Sequence, residues 1–93
     1  MKIILFLTAT LLLAGCASVP LETARDTAKK FYIQGLLYET DGNLEDAFIM
    51  YKKALQQDSD SSFLFGKIGT ILLKEKKFKE AEKAFLKAIA LNK

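Results

Sequence analysis

Residues 31–38 read Phe-Tyr-Ile-Gln-Gly-Leu-Leu-Tyr, and residues 65–72 read Phe-Gly-Lys-Ile-Gly-Thr-Ile-Leu. The two stretches start 34 residues apart, and each has phenylalanine first, glycine fifth and a bulky residue eighth. The same offset relates two alanines and an aromatic residue of each half, namely Ala47, Ala54 and Tyr51, and then Ala81, Ala88 and Phe85. A fixed period of this length indicates one structural unit that occurs twice.

The unit is predicted to be helical. From about residue 22 onward, apolar residues recur every three or four positions in four blocks, without the alternation typical of strands. The only proline, Pro20, precedes these blocks. Residues 40–43 predict the first turn, with Asn43 as the N-cap of the second helix, and the polar segment 58–62 offers several caps for the third. We therefore expect four amphipathic helices.

Two glycines lie inside predicted helices, where glycine costs about 1 kcal/mol relative to alanine. We expect Gly35 and Gly69 to let the two helices of a hairpin approach closely, facing Ala47 and Ala81 on the second helix. Aromatic residues would then fill the space between hairpins; these are Phe31, Tyr51, Phe65 and Phe85. An ordinary four-helix bundle would show similar apolar stripes but no fixed 34-residue period.

This helix–turn–helix unit resembles the tetratricopeptide repeat. The family pattern of aromatic, small and apolar residues is met in two copies, by Phe31, Gly35, Tyr38, Ala47, Tyr51 and Ala54, and by Phe65, Ile68, Gly69, Ala81, Phe85 and Ala88. Gln34 and Leu72 depart from the pattern, and neither copy has the closing proline. The resemblance implies an all-α fold, an α-solenoid of two hairpin repeats at residues 28–61 and 62–93, after an N-terminal signal peptide helix.

The N-terminus has the composition of a targeting segment. Lys2 is followed by an apolar run at residues 3–13, which matches the length of a signal peptide core and is shorter than the ~20 residues that span a bilayer. A buried core helix is the alternative, but a helix that is apolar all round would need a larger protein to cover it.

The residues after this run are Leu13-Ala14-Gly15-Cys16, and they resemble the lipobox of bacterial lipoproteins. The resemblance implies that residues 1–15 are a removed signal peptide, that Cys16 carries a covalent lipid, and that residues 16–27 form a lipidated tether and helix start. It also implies a place in the cell envelope, and the absence of aspartate at positions 17 and 18 favours the outer membrane, facing the periplasm. Apart from this lipid, no cofactor is expected.

Composition excludes several kinds of chemistry. Histidine is absent and Cys16 is the only cysteine, which rules out histidine acid–base catalysis, Cys/His zinc sites and internal disulfides. No histidine can activate the serines near position 60 as nucleophiles. We expect no enzymatic activity and no metal site.

Charge divides unevenly along the chain. Residues 16–66 carry five basic and eight acidic side chains, a net charge of −3, whereas residues 67–93 carry eight and three, a net charge of +5. The basic half is either a solvated outer surface or a patch for anionic lipid, acidic cell-wall polymer or an acidic protein face. Because an exported protein rarely meets nucleic acid, no nucleic-acid partner is expected.

The resemblance further implies that the first helix of each hairpin lines a partner-binding groove. Its predicted residues are Lys29, Tyr32, Leu36 and Glu39, and Phe63, Gly66, Thr70 and Leu73. The family's clamp for C-terminal carboxylates needs lysine and asparagine where this chain has Tyr32 and Leu36, so an apolar or amphipathic protein segment is the expected ligand. Alternatively, the N-terminal segment or a third repeat covers these residues.

Taken together, the sequence predicts a membrane-anchored scaffold or adaptor for pili, secretion or cell-wall machinery, joined to the lipid membrane through Cys16. Two alternatives remain open: a non-catalytic N-terminal fragment of a longer envelope enzyme or transporter component, and a self-associating homodimer. Repeat arrays usually need about three units plus caps. We therefore expect a further repeat, a second copy or a partner to cover the end of the second repeat near Lys93.

Overall fold

The computed structural model describes residues 21–92. All the regular structure in that range is helical, as predicted, and the helices are α1 (Leu21–Thr40), α2 (Leu44–Gln57), α3 (Ser62–Lys74) and α4 (Phe78–Leu91). None of these helices is both long and apolar enough to cross a bilayer. The predicted signal peptide at residues 1–15 and the lipidation site Cys16 lie outside the described residues.

The four helices form two hairpins that pack on one another. Helix α1 packs along α2, α3 packs along α4, and α2 contacts α3. The core is built from small and aliphatic residues with one aromatic ring, and consists of Ala28, Ala47, Tyr51, Ala54, Leu64, Ile68, Ile71, Leu72, Ala81 and Ala84. The core therefore runs through both hairpins, with its largest fully buried side chains, Tyr51 and Ile71, on α2 and α3.

Close packing at the two helical glycines is confirmed, but its predicted partners are wrong. A Cβ atom on Gly35 would lie 2.5 Å from Cε1 of Tyr51, and one on Gly69 would lie 2.7 Å from Cε1 of Phe85. The glycines therefore make room for an aromatic ring of the same hairpin, not for Ala47 and Ala81. Both rings pack within their own hairpin, because a flat ring fits the space that a missing side chain leaves on the facing helix. Tyr51 also contacts the neighbouring hairpin, through Lys67 over its ring.

The turn inside each hairpin has the same geometry, although the two sequences differ. Gly42 has a φ of 82° in the first turn, and Lys76, 34 residues later, has a φ of 63°. Each turn is closed by a backbone amide that donates to a carbonyl five residues earlier, Asn43 to Tyr38 at 2.8 Å and Lys77 to Leu72 at 2.9 Å. A left-handed residue at this position satisfies carbonyls at the helix end. Lys76 adopts it at a cost of about 1 kcal/mol, because its Cβ crowds the carbonyl oxygen.

Both predicted N-caps precede their helices, but only one of them makes a side-chain hydrogen bond. The hydroxyl of Ser61 accepts a hydrogen bond from the amide of Leu64 at 3.2 Å, which confirms a cap for α3 within segment 58–62. Asn43 is the N-cap residue of α2, as predicted, but its side chain makes no capping hydrogen bond. Its φ of −82° and ψ of 74° lie outside the extended conformation usual for an N-cap residue.

Candidate functional site

The predicted groove residues lie on the first helix of each hairpin. Four are on α1 and four on α3, and the two helices meet through side-chain contacts at both ends of this set. Near the start of the helices the contact is aromatic, between Tyr32 and Phe63. Near their ends it is ionic, between Glu39 and two lysines of α3.

Tyr32 and Phe63 form the aromatic contact. Their ring centroids are 5.1 Å apart and the rings meet edge to face at 72°. Tyr32 also lies 6.0 Å from the buried ring of Tyr51, which fixes it from behind. Phe63 is more than half exposed. The Phe63 ring therefore exposes apolar surface to solvent while Tyr32 holds it in place. Such a ring is suited to anchor an apolar group of a ligand.

A depression of about 160 Å³ adjoins this aromatic pair. Its wall includes Arg25 and Lys29 of α1 next to Tyr32 and Phe63, and it is completed by Ala28, Asp58, Ser61 and Leu64. Arg25 and Lys29 are one helical turn apart and both are exposed. This end of the groove therefore combines an apolar surface with two cations, against one carboxylate at Asp58.

At the other end of the groove, Glu39 is bound within the protein. The Tyr51 hydroxyl donates a hydrogen bond of 2.6 Å to Oε1 of Glu39, and Lys67 approaches the same oxygen at 3.0 Å. Lys74 donates to Oε2 at 2.9 Å. The Glu39 side chain is only 13% exposed. Glu39 thus joins its own hairpin to α3, and its carboxylate has little surface left for a ligand.

These contacts set the ionisation of the cluster formed by Glu39, Tyr51, Lys67 and Lys74. Burial of Glu39 favours its neutral form, but hydrogen bonds from Lys74, Tyr51 and Lys67 outweigh that effect and lower its pKa from 4.5 to about 2. Burial, and next the hydrogen bond to Glu39, raise the pKa of the Tyr51 phenol well above its usual value. At neutral pH the cluster therefore holds one carboxylate, two ammonium groups and a protonated phenol, a net charge of +1.

The remaining predicted residues line the space between these two ends. Thr70 uses its hydroxyl to donate to the carbonyl of Gly66 at 3.0 Å, so this donor is already occupied. Gly66 has open space where a side chain would be. Leu36 is half-buried and Leu73 is about half exposed. Of these four residues, Leu73 therefore offers the most exposed apolar side chain.

Sequence reasoning missed Lys67, Lys74 and Arg25 as groove residues. Lys67 and Lys74 are seven residues apart, two turns of one helix, so they lie on the same face of α3. This spacing could have indicated the cluster, because that face of α3 lies beside the end of α1, where Glu39 is. Among residues 21–92 no group of three or more metal-ligating side chains is close enough to hold an ion.

Comparison with known proteins identifies the repeats. The family model of the tetratricopeptide repeat matches residues 26–61 and 64–93, which is most of the chain. A search of the curated proteins found no match. The match confirms the resemblance given by the periodic aromatic and small residues. The chain therefore belongs to the tetratricopeptide repeat family, whose repeats imply a role in protein–protein interaction.

Proposed function

We propose that this protein is a lipid-anchored, non-catalytic scaffold of the bacterial cell envelope that binds a protein segment in the groove between α1 and α3. The single observation that supports the binding role best is the more than half-exposed ring of Phe63, which meets Tyr32 edge to face, while Tyr32 is itself backed by Tyr51. An anchor residue held before the ligand arrives loses little conformational entropy on binding.

The chemistry of the groove defines the ligand. Apolar surface at Tyr32, Phe63 and Leu73 fits the apolar side of an amphipathic helix or an extended segment. Arg25 and Lys29 add positive charge at one end, and the Glu39 cluster adds a net charge of +1 at the other. A segment with apolar residues on one face and acidic residues at its edges would match both features.

The membrane location is proposed from the sequence. The apolar run at residues 3–13 and the lipobox-like Leu13-Ala14-Gly15-Cys16 support export and lipidation. Lipid chains contribute about 0.8 kcal/mol per buried CH₂, so two or three chains on Cys16 would hold the protein stably at a membrane. The outer membrane, facing the periplasm, is the proposed site because no aspartate follows Cys16, and assembly of pili, secretion or cell-wall machinery is the proposed setting.

We expect Cys16→Ser to abolish anchoring. In cells supplied with a labelled fatty acid, the full-length chain should take up label and sediment with membranes, whereas the variant should do neither, because serine has no thiol to receive the lipid. The matched control is Ser18→Ala, which leaves the cysteine and the residues before it unchanged and should behave as the parent. Label on Cys16→Ser equal to that on the parent would contradict the proposed anchor.

The groove is tested by photo-crosslinking. A photoreactive phenylalanine analogue in place of Phe63 should crosslink a protein partner in membranes, and the same analogue in place of Leu86 should not. The two positions are equally exposed, at 57%, but Leu86 is on α4, away from α1. Tyr32→Ala should lower the crosslink at position 63 by about tenfold, because hot-spot residues contribute well over 1 kcal/mol. Equal yields at both positions would refute the groove.

A further inference from the structure

The two hairpins contact one another at a joint, where hairpin 1 packs against α3. Within residues 21–92, equivalent surfaces of α1 and of hairpin 2 are not covered by another helix. Adding 34 to the residues that hairpin 1 uses in the joint defines a rear face on hairpin 2, consisting of Leu73, Phe78, Glu82, Phe85 and Ile89. Subtracting 34 from the residues that α3 uses defines a front face on α1, consisting of Lys30, Ile33, Gln34, Leu37 and Thr40.

Both faces expose apolar side chains that the internal joint buries. Ile71 of α3 is fully buried in the joint, whereas its front-face counterpart Leu37 is 62% exposed. On the rear face, Phe78 and Ile89 are 63% and 70% exposed, although their counterparts Leu44 and Leu55 pack against the core. Each face therefore retains apolar residues of a repeat-to-repeat contact.

At some positions the two faces carry a different type of residue from the joint, and the change on one face suits the change on the other. In the joint, Glu39 binds Lys67 and Lys74. The counterpart of Glu39 on the rear face is Leu73, and the counterparts of the two lysines on the front face are Ile33 and Thr40. Leu73 and Ile33 are 49% and 48% exposed. The two faces thus lack the charges of the joint, and Leu73 of one copy would form an aliphatic contact with Ile33 of the next.

A second position changes in the opposite direction. In the joint, Phe48 of α2 and Ile68 of α3 line the same cavity of about 300 Å³. Their counterparts are Glu82 on the rear face and Gln34 on the front face, both exposed. Here an apolar contact is replaced by two polar side chains that can hydrogen-bond to one another. Both departures keep the chemistry of the two faces compatible.

Charge on the two faces favours the same pairing. The front face includes one charged side chain, Lys30, and the rear face includes one, Glu82. Placing the front face of one copy on the rear face of another brings opposite charges together, whereas two front faces or two rear faces would bring like charges together. Charge complementarity thus favours a head-to-tail arrangement over a symmetric one.

We propose that a second copy of this chain docks the front face of its α1 on the rear face of hairpin 2, so that copies stack head to tail and continue the helical array. A contact of this kind uses two different surfaces, so it adds further copies unless the rotation closes a ring. The proposal does not depend on lipidation; of the rear-face residues, Leu73 also belongs to the predicted groove.

Charge substitution at the aliphatic contact tests the stacking. The full-length chain in non-ionic detergent should show an average mass that rises with concentration in sedimentation experiments. Leu73→Glu or Ile33→Lys alone should raise the concentration needed for association by about tenfold, because each buries one unpaired charge against an aliphatic side chain. Mixing the two variants should restore association, since the glutamate of one copy then meets the lysine of the next, as Glu39 meets Lys67 within the chain.

The control is Ile49→Lys, which places the same charge at a residue of similar exposure, 42%, outside both faces. It should associate as the parent does. A chain that stays monomeric at all concentrations overturns the proposal, and so does failure of the mixture to associate. Loss of association with Leu73→Glu but not with Ile33→Lys would indicate a symmetric rear-to-rear dimer, which also overturns it.

Discussion

Replacing Gly35 with alanine is expected to lower the free energy of unfolding by about 3 kcal/mol, the upper part of the range for overpacked cores. The new Cβ would lie 2.5 Å and 2.7 Å from two ring carbons of Tyr51. That ring cannot move aside, because it is fully buried and its hydroxyl is held by Glu39 at 2.6 Å. The two helices of the first hairpin must therefore separate, which opens the core around Tyr51.

Urea unfolding followed by circular dichroism measures this change. Gly69→Ala should cost less, about 1–2 kcal/mol, because Phe85 is partly exposed and its ring has no hydroxyl to restrain it. The matched control is Gly66→Ala in the same helix, where a Cβ would meet nothing within 4 Å. Without a clash, the better helix propensity of alanine should stabilise the protein by about 1 kcal/mol. A Gly35→Ala variant as stable as Gly66→Ala would show that the hairpin adapts to the extra methyl group.

The sequence predicted that the two glycines pack closely but could not identify what they pack against. Ala47 and Tyr51 are four residues apart, one turn of α2, so they lie on the same face of that helix. Helical periodicity tells which face turns inward, and both residues satisfy it. The register between α1 and α2 decides which of the two residues contacts Gly35. That register depends on how all the side chains of the α1–α2 interface pack together.

The four helices and the pairing into hairpins could be predicted, because both follow from a repeated apolar pattern that needs no knowledge of distant contacts. The ionic cluster at Glu39 could not. Its partners Lys67 and Lys74 are 28 and 35 residues away, and long lysine side chains can reach several acceptors from one backbone position. The resemblance predicted Glu39 as a groove residue available to a ligand, whereas in the structure it binds Lys67 and Lys74 of the other hairpin.

The turn of the second hairpin, at Lys76, shows a limit of a different kind. A left-handed residue is usually recognised in a sequence as glycine, as at Gly42. At Lys76 the same conformation is imposed by the repeat, since the helices on either side pack as they do in the first hairpin and leave a gap of the same shape. Tertiary packing outweighs the local cost of about 1 kcal/mol for the left-handed conformation of Lys76. The residue type at this position therefore does not predict that conformation.

Stability is expected to depend on pH through Glu39. The pKa of this carboxyl is about 2 in the folded chain, below its ordinary value of 4.5, so between these values the folded state binds fewer protons than the unfolded state. The stabilisation is therefore complete above pH 4.5 and is lost as the pH falls through 2. Because Lys74 is about half exposed and its contribution is screened by solvent, we expect the effect to be about 2 kcal/mol.

Glu39→Gln isolates this contribution from that of the other carboxyls. The variant keeps the shape of the side chain but cannot hold two ammonium groups, so it should unfold about 2 kcal/mol more easily than the parent at pH 7. The difference between variant and parent should shrink as the pH is lowered from 4.5 toward 2, because the parent then loses the same charge. The exposed Glu45 of α2 provides the control, and Glu45→Gln should leave the acid side of the stability curve nearly unchanged. If the Glu39→Gln and parent curves stayed parallel down to pH 2, the Glu39 carboxylate would not stabilise the contact between the hairpins.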